Sequence, residues 1–222
     1  MTSSFNLETD TVDAHAAHAA DSAHIDTSTG LDSRKLAFWT FIGAECLLFG
    51  SLIATYMAYK GDSITGPCPH PGTLPNGTHC EGILDVPLTS ISTFDLLMSS
   101  VAMVLGLAAV QRGDRKMAAF WLGMTAFLGA IFLGFQAYEF TAFWHEGLTL
   151  SSNLFGSSFY MLTGFHGAHV FVGVIYMTTL AVLAHRGKIG PEKSLNVELG
   201  GLYWHFVDVV WIVIFPLIYL IP

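Results

Sequence analysis

Ionisable side chains stand inside stretches apolar enough to cross a bilayer: Glu45, Glu139, His166, His169, His205 and Asp208. The densest are Gly164-Phe165-His166-Gly167-Ala168-His169-Val170 and, further on, Tyr203-Trp204-His205-Phe206-Val207-Asp208-Val209-Val210-Trp211. A charge at membrane depth costs a few kcal/mol unless it faces the protein interior, so these positions mark where a membrane protein does its work. A carboxyl beside an imidazole or a second acid can stay protonated there, and such groups are the usual parts of proton relays. The same groups can also hydrogen-bond across helices and do no more than specify packing. Both readings are open from the residues.

The elements that must position them follow from composition. Of 222 residues, 52% are hydrophobic and only 12% charged, with a mean hydropathy of +0.54, which leaves too little polar surface to coat a soluble globule. Lys and Arg are sparse enough that five apolar runs read directly, at about 36–59, 91–110, 117–143, 155–184 and 199–221. The fold expected is all-α: a polytopic membrane protein, a bundle of five transmembrane helices. Six acids and no Lys or Arg occupy the first 33 residues, so much of the net charge of −8 belongs to a tail. Residues 1–33 read as a disordered, His/Ala-rich cytoplasmic segment, and 34–222 as the transmembrane domain with an external loop at 61–89.

An odd number of spans puts the termini on opposite sides. With the N-terminus cytoplasmic, Arg34, Lys35, Arg112, Arg115, Lys116, Arg186, Lys188 and Lys193 all lie inside and only Lys60 lies outside. The external loop carries Cys68 and Cys80 among several prolines, and a disulfide suits an oxidising compartment. Cys68, His70, His79 and Cys80 are also a donor set that could hold zinc.

Depth along each span follows from the helical rise. Glu45 and Asp208 both lie roughly 3 Å to the cytoplasmic side of their span centres, with His169 near the centre of its own. These three are expected to form one midplane layer. Glu139 is expected near the outer interface, close to water. His166 and His169 should present two imidazoles on one helix face, but no third metal ligand is evident, and an offset of roughly 8 Å between His169 and His205 argues against a bis-histidine haem. In the third span Gly123, Ala126, Ala130, Gly134 and Ala137 make a smooth stripe that invites close helix approach, and Gly164, Gly167, Ala168 and Gly173 should bury the fourth. No phosphate loop, nucleophile motif or basic patch for nucleic acid is present.

Five ordered motifs carry a resemblance: Gly43-Ala44-Glu45-Cys46-Leu47-Leu48-Phe49, Arg112-Gly113-Asp114-Arg115-Lys116, Phe135-Gln136-Ala137-Tyr138-Glu139-Phe140, Tyr160 to Val170, and Tyr203 to Trp211. Over nearly all of 36–222 the chain resembles subunit III of the haem–copper terminal oxidases, in a short form with five spans where the longer form has seven. The resemblance implies a subunit of the bacterial inner membrane with no cofactor of its own. It would pack on subunit I, with subunit II and small subunits in the same complex, and haem and copper held by those partners. It also implies bound phospholipid, support of proton uptake by subunit I, protection during turnover, and a carbodiimide-reactive glutamate matching Glu45. The missing first two spans remove one wall of the family's lipid cleft.

Rival readings are a stand-alone five-helix transporter and a membrane redox protein binding haem itself. The first would be expected to show inverted repeats or a broken helix, and neither is visible. The second would give haem bands from the isolated chain. For orientation the test is chemical: a membrane-impermeant thiol reagent, applied to intact spheroplasts after mild reduction, should label Cys68 and Cys80. Labelling only after the membrane is opened would reverse the topology.

Overall fold

The computed structural model describes residues 33–60, 72–73, 79–80, 82 and 84–221. Five helices long and apolar enough to cross a membrane make up almost all of it. They are α1 (Ser33–Tyr59), α2 (Val86–Gln111), α3 (Arg115–His145), α4 (Leu154–His185) and α5 (Ser194–Phe215), the last entered by a tight turn at Pro191–Lys193 and continued by a wider π-type turn at Pro216–Leu220. A two-stranded antiparallel ladder, β1 (Gly72–Thr73) on β2 (His79–Cys80), pairs Gly72 with Cys80 and Thr73 with His79. Cys68 and His70 lie outside the described residues, and with them the disulfide and the zinc alternative. So does the tail, apart from Ser33, which opens α1.

The helix ends are set by side-chain caps. Asp85 accepts the Leu88 N–H at 3.1 Å, Asp114 that of Met117 at 3.2 Å, and Asn153 that of Gly156 at 2.6 Å, each satisfying a donor that the first turn leaves without a partner. Asp85 with Pro87 in the first turn starts α2 at Val86, five residues before the hydrophobic run, so Val86–Thr89 belong to the helix rather than to the external loop. Gly113 and Gly187, at φ of +76° and +70°, follow the ends of α2 and α4 in the left-handed conformation that stops a helix.

The chain divides into two units, Met1–Gly43 and Ala44–Pro222. Within the second, α2 to α5 close a four-helix ring in which α2 packs on α3 and α5, and α4 on α3 and α5. Its centre is Trp204 of α5, wholly buried, whose indole N–H donates to Ser99 Oγ of α2 at 2.8 Å. The ring edge lies against Gly129 of α3 and Gly173 of α4, where a Cβ would meet it at 2.8 Å at Gly173 and closer still at Gly129.

The small-residue stripe therefore works differently from the sequence expectation. Gly123 and Gly134 have open space where a Cβ would point, and Ala130 and Ala137 are exposed. The close approach of α3 is made by Gly129, off the stripe, because the bulky partner is an indole and not a smooth helix. In α4, Gly167 and Gly173 are buried as expected, while Ala168 is exposed and Gly164 is open.

From Ala44 onward, α1 joins the ring along a single seam. Only Phe49 and Tyr56 of this helix are buried. With Glu45 and Lys60 they recur at steps of four, seven and four residues, which keeps them on one face. Phe49 meets Phe206 of α5 at 6.2 Å between ring centroids, and Tyr56 meets Phe155 of α4 at 6.0 Å. Lys60 Nζ donates to the carbonyls of Leu217, at 3.3 Å, and of Ile221, closing the C-terminal end of the last helix. Partial burial there lowers the Lys60 pKa from the usual lysine value.

A methyl group separates the two kinds of glycine in α3. Gly129→Ala should destabilise the ring by about 1–3 kcal/mol by overpacking against Trp204. Gly123→Ala, with nothing to meet, should be neutral, and a thermal melt of the two variants compares them directly.

Candidate functional site

The polar side chains sort into three separate groups. In the first, His169 Nδ1 lies 2.8 Å from the Phe165 carbonyl oxygen one turn earlier, and its Nε2 lies 3.2 Å from Glu45 Oε2. A carbonyl only accepts, so Nδ1 must carry the hydrogen. The Nε2–carboxyl bond then contains one proton, either as a carboxylic acid donating to a neutral imidazole or as a carboxylate accepting from an imidazolium. Phe49 sets its ring edge-on to the imidazole at 5.1 Å, and the Tyr203 hydroxyl donates to the His169 carbonyl at 3.0 Å. Each of the two polar side chains keeps 17% exposure, so the pair is shielded but not sealed.

The second group joins α2 and α5. Among the described residues Asp208 is bonded to neither Glu45 nor His169; its Oδ2 accepts a hydrogen bond from Ser100 Oγ of α2, which also lies 3.0 Å from His205 Nδ1. Ser100 thus bridges two residues of α5 one turn apart. α5 begins at Ser194, five residues before the apolar run expected at 199. Asp208 is 4% exposed, and its Oδ1 is buried without a partner.

Glu139 is the third, six residues before the C-terminal end of α3. It is 7% exposed, its Oε1 is 2.8 Å from Thr89 Oγ1 of α2, and the Tyr219 hydroxyl bonds to it from the last turn of the chain. The early start of α2 and the π-type turn bring these two hydroxyls over it.

His166 stands one turn before His169 on the same helix but in different surroundings. It is fully buried, stacked on Trp211 at 4.7 Å and edge-on to Phe132 at 5.8 Å, and neither ring nitrogen has a hydrogen-bond partner. Next to it, Gln136 Nε2 donates to the Thr163 carbonyl at 2.8 Å, an approach open only because residue 167 is glycine: a Cβ there would lie 2.6 Å from Gln136 Oε1. The Trp211 indole N–H is taken by Thr93 Oγ1 at 2.9 Å.

Sequence reasoning missed Ser100, Thr89 and Tyr219, whose hydroxyls give no signal until a partner is known. It also passed over Asp95, an acid inside α2 with Oδ2 buried and unpartnered, which the rule for intramembrane charge could have found. Among the described residues no group of three or more His, Cys, Asp or Glu converges as a metal site.

Fold and site together define a multi-pass helical membrane protein whose buried polar groups pair across helices. The particular family follows from comparison with known proteins. The family model for cytochrome c oxidase subunit III matches residues 12–221. Cytochrome c oxidase subunit 3 of Bacillus sp. (strain PS3) is 37% identical over 188 residues, covering 85% of this chain and 86% of the relative. Quinol oxidase subunit 3 of Bacillus subtilis (strain 168) is 35% identical over 207 residues, 93% of this chain and 96% of the relative. Cytochrome c oxidase subunit 3 of the same strain is 38% identical over 189 residues, 85% and 86%. The chain belongs to the cytochrome c oxidase subunit III family.

The tautomer argument is directly measurable. Selective ¹⁵N labelling of histidine should show His169 Nδ1 protonated, and an unprotonated Nδ1 would refute the assignment. Glu45→Gln keeps a donor for Nε2 and should cost little, whereas Glu45→Leu leaves that nitrogen without a partner and should cost about 1–3 kcal/mol.

Proposed function

We propose that this chain is the accessory membrane subunit III of a proton-pumping haem–copper terminal oxidase in aerobic respiration. It seats against the catalytic subunit I in a complex that also contains subunit II and small subunits, and the haems and copper reside in those partners. Its own part is to sustain proton uptake by subunit I and to keep that subunit stable during turnover. The observation that carries the reading, within the family, is the Glu45–His169 pair. A single proton lies in a bond with 17% exposure on either side, positioned by a backbone carbonyl that fixes the ring. The proton of such a bond can pass between carboxyl and imidazole without moving a helix, which suits a group that sits beside a proton path rather than in the redox chemistry.

Lipid binding is supported by a groove of about 960 Å³ between α3 and α4. Gly123, Ala126, Ala130 and Val174 make its floor, and Lys116, His185 and Arg186 stand at one end. That arrangement suits an acyl chain along the small residues and an anionic headgroup on the cations. Basic residues at the same end of the bundle support a topology with that end and the N-terminus in the cytoplasm and the loop from Gly61 and the C-terminus outside. The relatives are named both as cytochrome c and as quinol oxidase subunits at similar identity. This fits a subunit in which the choice of electron donor does not reside.

The deciding experiment is Glu45→Gln in the assembled oxidase. The haem spectrum and electron input should stay nearly unchanged, and the loss should appear in proton uptake, pumping or lifetime during turnover. A bleached haem, or oxygen reduction abolished at the first turnover, would place this chain in the catalytic centre instead.

A further inference from the structure

At the end of the bundle that carries the ladder, a cavity of about 470 Å³ opens beside Glu139. Leu84, Asp85, Tyr138 and Glu146 line it, the last three exposed, together with the buried Glu139 and Phe143. Among the described residues none lining it is basic. A buried carboxyl therefore has a polar route to the water at this end.

The groups that hold the carboxyl fit either of its protonation states. Thr89 Oγ1 lies 2.8 Å from Glu139 Oε1 and 2.8 Å from the Asp85 carbonyl oxygen, yet a hydroxyl has one hydrogen to give. When Glu139 is ionised, Thr89 donates to it, and the Asp85 carbonyl still accepts the Thr89 N–H at 3.1 Å. When Glu139 is protonated, its own O–H donates to Thr89 Oγ1, and the Thr89 hydroxyl turns to the Asp85 carbonyl. Both states are satisfied by turning one hydroxyl, with no heavy atom displaced. The other groups facing the carboxyl are the Tyr219 hydroxyl from the last turn and, behind it, the buried Tyr56 hydroxyl of α1, with Asp85 and Glu146 toward water.

We propose that Glu139 is a proton-exchange site, loaded and emptied from the aqueous phase at this end of the bundle through the cavity. It shares no side chain with the Glu45–His169 pair and stands on its own geometry. Its ligand is a proton delivered by water, and Thr89 and Tyr219 are positioning residues.

The test uses the assembled oxidase. Infrared difference spectra across a pH titration should contain a protonated-carboxyl C=O band that shifts in D₂O. That band should disappear in Glu139→Gln and persist in Glu45→Gln, so the two sites fail or succeed separately. Thr89→Val and Tyr219→Phe should each move its frequency, which carries the test if Glu139→Gln does not assemble. In parallel, a water-soluble carbodiimide with a small amine, added at the ladder end of sealed vesicles, should convert Glu139 to the amide with release of the urea. A spectrum indifferent to all three substitutions would overturn the proposal, as would labelling of Glu146 with Glu139 untouched.

Discussion

The indole of Trp204 is the object on which four helices meet. It rises from α5, gives its N–H to Ser99 of α2, and lies in the space that two glycines leave open on α3 and α4. In lipid there is no hydrophobic gain from bringing apolar helices together, so association depends on close packing and on polar contacts that have no better partner in the bilayer. Trp204 supplies both in one side chain. Once its position is set, the neighbouring turns of α5 are set too: Tyr203 reaches the His169 carbonyl, His205 and Asp208 face Ser100, and Trp211 comes to rest between His166 and Thr93.

The polar groups share an economy of hydrogens. His169 is held by a carbonyl that can only accept, Ser100 serves two residues of α5 with one hydroxyl, and Thr89 stands between a carbonyl and a carboxyl. In each place the number of acceptors exceeds the number of hydrogens in one arrangement and matches it in another. A membrane interior makes such groups costly to leave unmatched, so protonation and hydroxyl rotation become coupled.

Much of this architecture was legible in the residues. Sparse Lys and Arg delimit five spans, and counting along them sets Glu45 and His169 at a common depth, which their hydrogen bond agrees with. What depth counting could not supply was the position of helix ends. Asp85 and Pro87 start α2 inside what reads as loop, and this brings Thr89 over Glu139 and covers that acid. The start of α5 at Ser194 likewise falls five residues before the apolar run begins. The small-residue stripe misled for another reason: spacing tells which residues share a face, but not whether that face meets a helix, an indole or nothing.

The seam of α1 has a geometric consequence. Glu45, Phe49, Tyr56 and Lys60 are the points at which this helix is fastened, and they lie in one line along a cylinder. Adding or removing one residue between Glu45 and Phe49 would turn everything beyond it by about 100°, carrying the aromatic pair and the lysine away from their partners together. Side-chain substitutions along the line are absorbed one at a time, but its length admits no such gradation. The fastening therefore behaves as a key cut to a single register, in which the residue count between contacts matters as much as the contacts themselves.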